Sequence, residues 1–171
     1  MPEHTPRGSS AARRRTALAA GAAALAGLDL ALKTWAKDSL ADAPIGPGFA
    51  QLRLAYNPGV AFSMGDTLPS WVVIALTALI TAGVGVFAWR TAPTSKATAA
   101  ALAAILAGAA ANLIDRTADG VVTDYLHTGW WPTFNLADVF IVCGGIAVAA
   151  LSWLRTDQNE HANANAPATT T

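Results

Sequence analysis

The chain has 171 residues, 53% of them apolar and only 13% charged, and its 11 basic and 11 acidic residues cancel. A soluble domain carries about 25% charged residues, so this chain has too few to cover a water-facing surface, and the same composition excludes disorder along its whole length. The absence of a basic excess excludes a typical nucleic-acid binder and leaves a small integral membrane protein.

In chain order, residues 1–16 are polar, contain Pro2, Pro6, Gly8, Ser9 and Ser10, and end in the basic run Arg13, Arg14 and Arg15. They are expected to form a disordered tail. Residues 17–155 hold four apolar stretches of spanning length, about 20 residues each. These are Ala17 to Ala36, Trp71 to Trp89, Ala97 to Ile114, and Thr133 to Leu154. Residues 156–171 are low in complexity and are expected to be disordered again. The expected fold is an all-α membrane protein of four transmembrane helices. The segment Phe49 to Tyr56, which alternates loosely, adds a small strand-containing loop region.

The first stretch has a rival reading as a removable signal peptide, with Ala41 and Ala43 as a small-residue cleavage site. Asp29 and Lys33 interrupt its apolar run, and three further spans make such a signal unnecessary. Arg13 to Arg15, Arg90, Lys96 and Arg155 all fall on one side of a four-span topology. The positive-inside rule makes that side cytoplasmic, with both termini there. Trp130 and Trp131 fit the aromatic belt at the outer interface.

Single residues exclude further chemistry. The lone cysteine, Cys143, forms no intrachain disulfide, and its apolar neighbours predict an inert buried thiol. His4, His127 and His161 are far apart, so neither a metal nor a cofactor is expected.

Ionisable groups inside a membrane are costly and usually functional. Asp29 lies about 18 Å into a core about 30 Å thick, nearer the outer face. Lys33 follows it by one turn, in reach for an i,i+4 pair. Asn112, Asp115 and Arg116 fall at the outer end of the third span, and Asn135 and Asp138 at the outer end of the fourth. Asp124 lies in the connection between them. Each has a plain structural reading. Asp29 and Lys33 would form a self-neutralised pair, and Asp115 and Arg116 a helix-end pair. Asn135 would be a cap, Asp138 a dipole-favoured first-turn acid, and Asp124 an exposed loop acid. Their convergence at one depth from separate segments points instead to a polar site. Two close carboxylates that share a proton can hydrolyse a peptide bond without a nucleophilic side chain or a metal. Proton transport remains open on these grounds alone, as does a structural scaffold.

Four blocks resemble the lipoprotein signal peptidases, or signal peptidase II family, which are bacterial intramembrane aspartic proteases. Asp29 and Lys33 resemble the family's pair in the first span. Asn57, Gly59, Ala61 and Phe62 match its Asn-x-Gly-x-Ala-Phe block. Asn112, Asp115 and Arg116 match its Asn-x-x-Asp-Arg block, followed by Asp124. Phe134, Asn135, Ala137 and Asp138 match its Phe-Asn-x-Ala-Asp block. The blocks occur in family order over residues 29–138.

The resemblance implies catalytic roles for Asp124 and Asp138, with Asp29, Lys33, Asn57, Gly59, Asn112, Arg116 and Asn135 supporting the site or binding substrate. It implies an endopeptidase of the bacterial plasma membrane, probing lipid-modified prolipoproteins near the outer face and cleaving before the diacylglyceryl-cysteine. Membrane lipids would be its surroundings and a monomer its state. The chain departs from the family in having Ala107 and Ala111 where glycine is usual, and Leu32 where a hydroxyl residue is common. Alternatives from other classes are a small proton-coupled transporter using Asp29 and Lys33, and a scaffold.

Overall fold

The computed structural model describes residues 7–59, 69–93 and 95–164. The element order is α1 (Arg7–Ser39), β1 (Gln51–Asn57), α2 (Ser70–Thr91), α3 (Lys96–Asp119), β2 (Val122–His127) and α4 (Leu136–Ala164). All four helices are long and apolar enough to cross a membrane. Their outward faces carry large apolar side chains, such as Leu79, 71% exposed. Such a surface fits lipid rather than water.

The terminal helices run past the boundaries read from sequence. α1 begins at Arg7 and α4 continues to Ala164, so helix occupies part of what was expected to be disordered tail. Neither added segment contains proline, and alanine and arginine are strong helix formers. The outermost residues of both tails, 1–6 and 165–171, lie outside the described residues.

α3 is the centre of the bundle and packs against α1, α2 and α4. Its alanines make this possible: Ala99, Ala103, Ala107 and Ala111 are all buried. Two glycines bring α3 and α4 closer still. A Cβ on Gly108 would collide with the carbonyl oxygen of Ala137, and one on Gly144 would lie 2.8 Å from the carbonyl oxygen of Ala101. Without solvent to drive helices together in lipid, such close backbone packing is the main source of association.

On α1 the buried positions Leu18, Ala22, Ala26, Asp29, Lys33 and Ala36 recur every three or four residues. One stripe of a helix therefore faces the bundle. Asp29 and Lys33 lie on that stripe, so an apolar contact becomes polar at one level only.

β1 and β2 pair antiparallel although α2 and α3 separate them in sequence. Ala55 stands opposite Asp124, Tyr56 opposite Thr123 and Asn57 opposite Val122. The expected strand at Phe49 to Tyr56 is thus present as β1. Its partner β2 was not anticipated. β2 starts after Gly120, whose φ of 77° ends α3 in a left-handed cap with its N–H on Arg116 O.

Candidate active site

The site is assembled around the first turn of α4. Helix N-termini leave backbone N–H groups without intrahelical partners. Here three consecutive ones are satisfied, by β2, by α1 and by the cap residue Asn135. Leu136 N donates to Tyr125 Oη of β2 at 3.2 Å, Ala137 N to Asp29 Oδ1 of α1 at 2.9 Å, and Asp138 N to Asn135 Oδ1 at 3.0 Å. Asn135 N in turn donates to Asp138 Oδ2 at 3.1 Å. Asn135 and Asp138 form a reciprocal capping box, so the expected cap is present, and it also orients a carboxylate.

Two asparagines connect the acids. Asn135 Nδ2 donates to Asp124 Oδ1 at 2.6 Å and approaches Asn112 Oδ1 at 3.2 Å. Asn112 Nδ2 donates to Asp138 Oδ1 at 2.9 Å. Asn112 Oδ1 also accepts from Lys33 Nζ at 2.6 Å. Lys33 pairs with Asp29 at 2.9 Å and lies 3.6 Å from Asp115. The expected Asp29–Lys33 pair is real but not self-contained, because Asp29 also caps α4 and Lys33 also fixes Asn112.

Asp115 does not pair with the adjacent Arg116 as a helix-end pair would. Neighbouring residues on a helix point apart. Asp115 turns toward α1, where it meets Lys37 at 3.0 Å, and accepts from Thr123 N of β2 at 2.6 Å. Lys37 also reaches Asp119. Asp115 thereby ties β2 to the bundle one residue before Asp124. Arg116 turns the other way. Its Nη2 would lie 2.9 Å from a Cβ on Gly59, and Asp124 and Asp138 are its electrostatic partners together with Asp115.

Asp124 is 2% exposed, not the exposed loop acid of the plain structural reading. Burial, then the nearby Asp138 charge, raise its pKa from 3.8 to about 6 against the hydrogen bonds of Asn135 and Asn57. The strand register explains the second bond: Asn57 and Asp124 are diagonal neighbours on one sheet face. Asn57 Oδ1 accepts from Gly59 N at 2.8 Å, and Gly59 has a φ of 94°. The left-handed turn needs glycine, and the same glycine makes room for Arg116. Ala61 and Phe62 of that block lie outside the described residues.

Asp124 and Asp138 line one cleft of about 560 Å³ together with Asn57, Gly59, Asn112 and Arg116. Asp138 also borders a second, apolar cleft of about 440 Å³ formed by Trp130, Trp131, Phe134, Val142 and Cys143. Cys143 is exposed, contrary to the buried thiol expected, because its helix face looks out of the bundle. Among the described residues, no three His, Cys, Asp or Glu side chains gather as metal ligands would.

Lys37, Thr123 and Tyr125 hold this site and were not singled out from sequence. Lys37 follows Lys33 by four residues, a spacing that places both on one helix face. The β-branched and aromatic run Val121 to Leu126 was the available signal for β2.

The model of the family described as Signal peptidase (SPase) II matches residues 21–154. The lipoprotein signal peptidase of Syntrophomonas wolfei is 37% identical over 115 residues, covering 66% of this chain and 74% of that protein. The lipoprotein signal peptidase of Xanthomonas campestris pv. campestris is 36% identical over 139 residues, covering 74% and 82%. A solved bacterial membrane enzyme shares the fold, with a TM-score of 0.65 at 21% identity over 80% of this chain and 92% of that one. These likenesses favour a peptidase over a transporter. The chain belongs to the signal peptidase II family.

Proposed function

We propose that the protein is an aspartic endopeptidase that removes signal peptides from diacylglyceryl-modified prolipoproteins, with Asp124 and Asp138 as its catalytic pair. The observation that carries this reading is the arrangement of two acids from separate elements on one cleft, joined through Asn112 and Asn135.

The two carboxylates differ in surroundings. Asp138 accepts two N–H donors and stands in the first turn of α4, where the helix dipole favours negative charge. Asp124 is buried and raised to about 6. This asymmetry suits a division of labour. Asp138 takes a proton from a water whose oxygen attacks the scissile carbonyl carbon. Asp124, protonated, donates a hydrogen bond to the carbonyl oxygen. As the C–N bond breaks, the proton passes to the leaving amine. The products are the signal peptide with a new carboxylate and the lipoprotein with a free amino group on its lipidated cysteine.

Arg116, Asn57 and Gly59 border the cleft and support substrate placement. The apolar cleft beside Asp138 suits the apolar part of the substrate. The basic ends of the helices support a cytoplasmic location for both termini, with the site near the outer face. Holding the scissile bond at that depth by lipid and helix contacts supplies much of the positioning energy.

The test is cleavage of a purified prolipoprotein by the purified full chain in detergent, with the products weighed by mass spectrometry. Cleavage immediately before the lipidated cysteine is expected, with the unlipidated precursor left uncut. Cleavage elsewhere, or equal cleavage of the unlipidated precursor, overturns the substrate assignment.

A further inference from the structure

At the opposite, basic end of the bundle lies a cleft that the peptidase chemistry does not use. It encloses about 360 Å³ between α1 and α3, with Arg14 and Lys96 at its mouth and Leu18, Leu25, Ala99 and Ala103 among its walls. From Arg14 to Leu25 it follows α1 for about 16 Å. At Gly21 a Cβ would come no closer than 3.9 Å to Ala103, so the groove floor is formed by small residues without strain.

Charge is confined to the mouth. Arg14 Nη1 donates to Pro93 O, which places the guanidinium beside the α2–α3 turn and, among the described residues, leaves its other N–H groups available. Lys96 is exposed and opens α3, whose dipole adds partial positive charge there. Among the described residues, every ion pair involves Lys33 or Lys37 at the far end, and neither Arg14 nor Lys96 has an acidic partner. Arg13, Arg15, Arg90 and Arg155 crowd the same end, where Asp157 is the one acid with a described side chain.

We infer that this cleft binds an anionic phospholipid, with an acyl chain along the α1–α3 groove and the phosphate between Arg14 and Lys96. An apolar groove with cations at one end matches an amphiphile with a negative head. A basic peptide segment would be repelled by the same two cations. Inorganic phosphate shares the head chemistry but has nothing to place along the groove. The inference depends only on membrane insertion and stands apart from the peptidase assignment.

The test is native mass spectrometry of the detergent-purified full chain with phosphatidylglycerol, phosphatidylcholine and inorganic phosphate. The wild type is expected to retain phosphatidylglycerol in preference to phosphatidylcholine. Arg14→Gln with Lys96→Gln is expected to weaken phosphatidylglycerol binding about 30-fold, at the usual contribution of two cations near a lipid surface. Exchanging the two cations, as Arg14→Lys with Lys96→Arg, should preserve it. Ala100→Phe leaves both cations in place, obstructs the groove from an exposed position and should weaken both lipids. Equal retention of the two lipids by the wild type overturns the proposal. So does undiminished phosphatidylglycerol binding in the double glutamine or the phenylalanine variant, or full displacement of lipid by inorganic phosphate. Prolipoprotein cleavage by the double glutamine variant should be unchanged in detergent, which separates the outcome from the fate of the peptidase reading.

Discussion

Asn135 both caps α4 and donates its amide to Asp124, and two substitutions separate these jobs. Alanine removes both. Losing the cap costs about 1 kcal/mol, and losing a hydrogen bond to a buried carboxylate costs about 1.5–3 kcal/mol. Asn135→Ala should therefore lower unfolding stability by about 3 kcal/mol. Asn135→Ser keeps a capping oxygen, so its stability should exceed that of the alanine variant by about 1 kcal/mol. Serine is too short to cap Asp138 N and also reach Asp124, so both variants should lose about tenfold or more in kcat/KM. The lost bond favoured ionised Asp124, so its removal pushes the Asp124 pKa above about 6. The alkaline limb of the activity profile should then move to higher pH in both variants. Denaturant unfolding in detergent and kcat/KM on a lipidated precursor across this pH range supply both readouts. A serine variant with wild-type activity and an unmoved limb would refute the claim that Asn135 holds Asp124.

Asn57→Ala should also move the alkaline limb upward, because the Asn57 hydrogen bond lowers the Asp124 pKa; a pH profile of kcat/KM checks this. Folded Asp124 titrates near 6 rather than 3.8, so the folded state binds the extra proton between these values. Stability should fall as pH rises through that window, by about 3 kcal/mol for this group alone. Asp124→Asn should flatten the slope in unfolding measurements. Asp115→Asn removes the ion pair with half-buried Lys37 and weakens the bond from Thr123 N, while Lys33 keeps Asp29 and Lys37 keeps Asp119; it should cost about 2 kcal/mol by denaturant unfolding, with activity reduced through β2. Gly59→Ala forces a Cβ into a φ of 94° within 2.7 Å of Val73 Cγ1 and should reduce kcat/KM about tenfold.

Much of this site could be read in advance because its polar residues are conspicuous in an apolar chain. Asp29 and Lys33 interrupt a helix stripe that is otherwise apolar, and their i,i+4 spacing fixes their pairing. Asn135 precedes Asp138 by the spacing of a capping box. What sequence missed lies in contacts between elements far apart in the chain. Nothing local says that Asp115 chooses Lys37 over Arg116, or that Asp29 caps a helix 108 residues away. β2 is short and pairs across two intervening helices, so its partner left no hairpin signal. The Cys143 expectation failed because apolar neighbours in a membrane helix do not tell an inward face from a lipid-facing one.

The central claim is that Asp124 and Asp138 together break the peptide bond. Its most direct measurement is the cleavage rate of a lipidated prolipoprotein by purified Asp124→Asn and Asp138→Asn variants, each shown by unfolding to be folded. Each single substitution is expected to lower kcat by about 10²- to 10⁴-fold. Near-wild-type cleavage by either folded variant would contradict it.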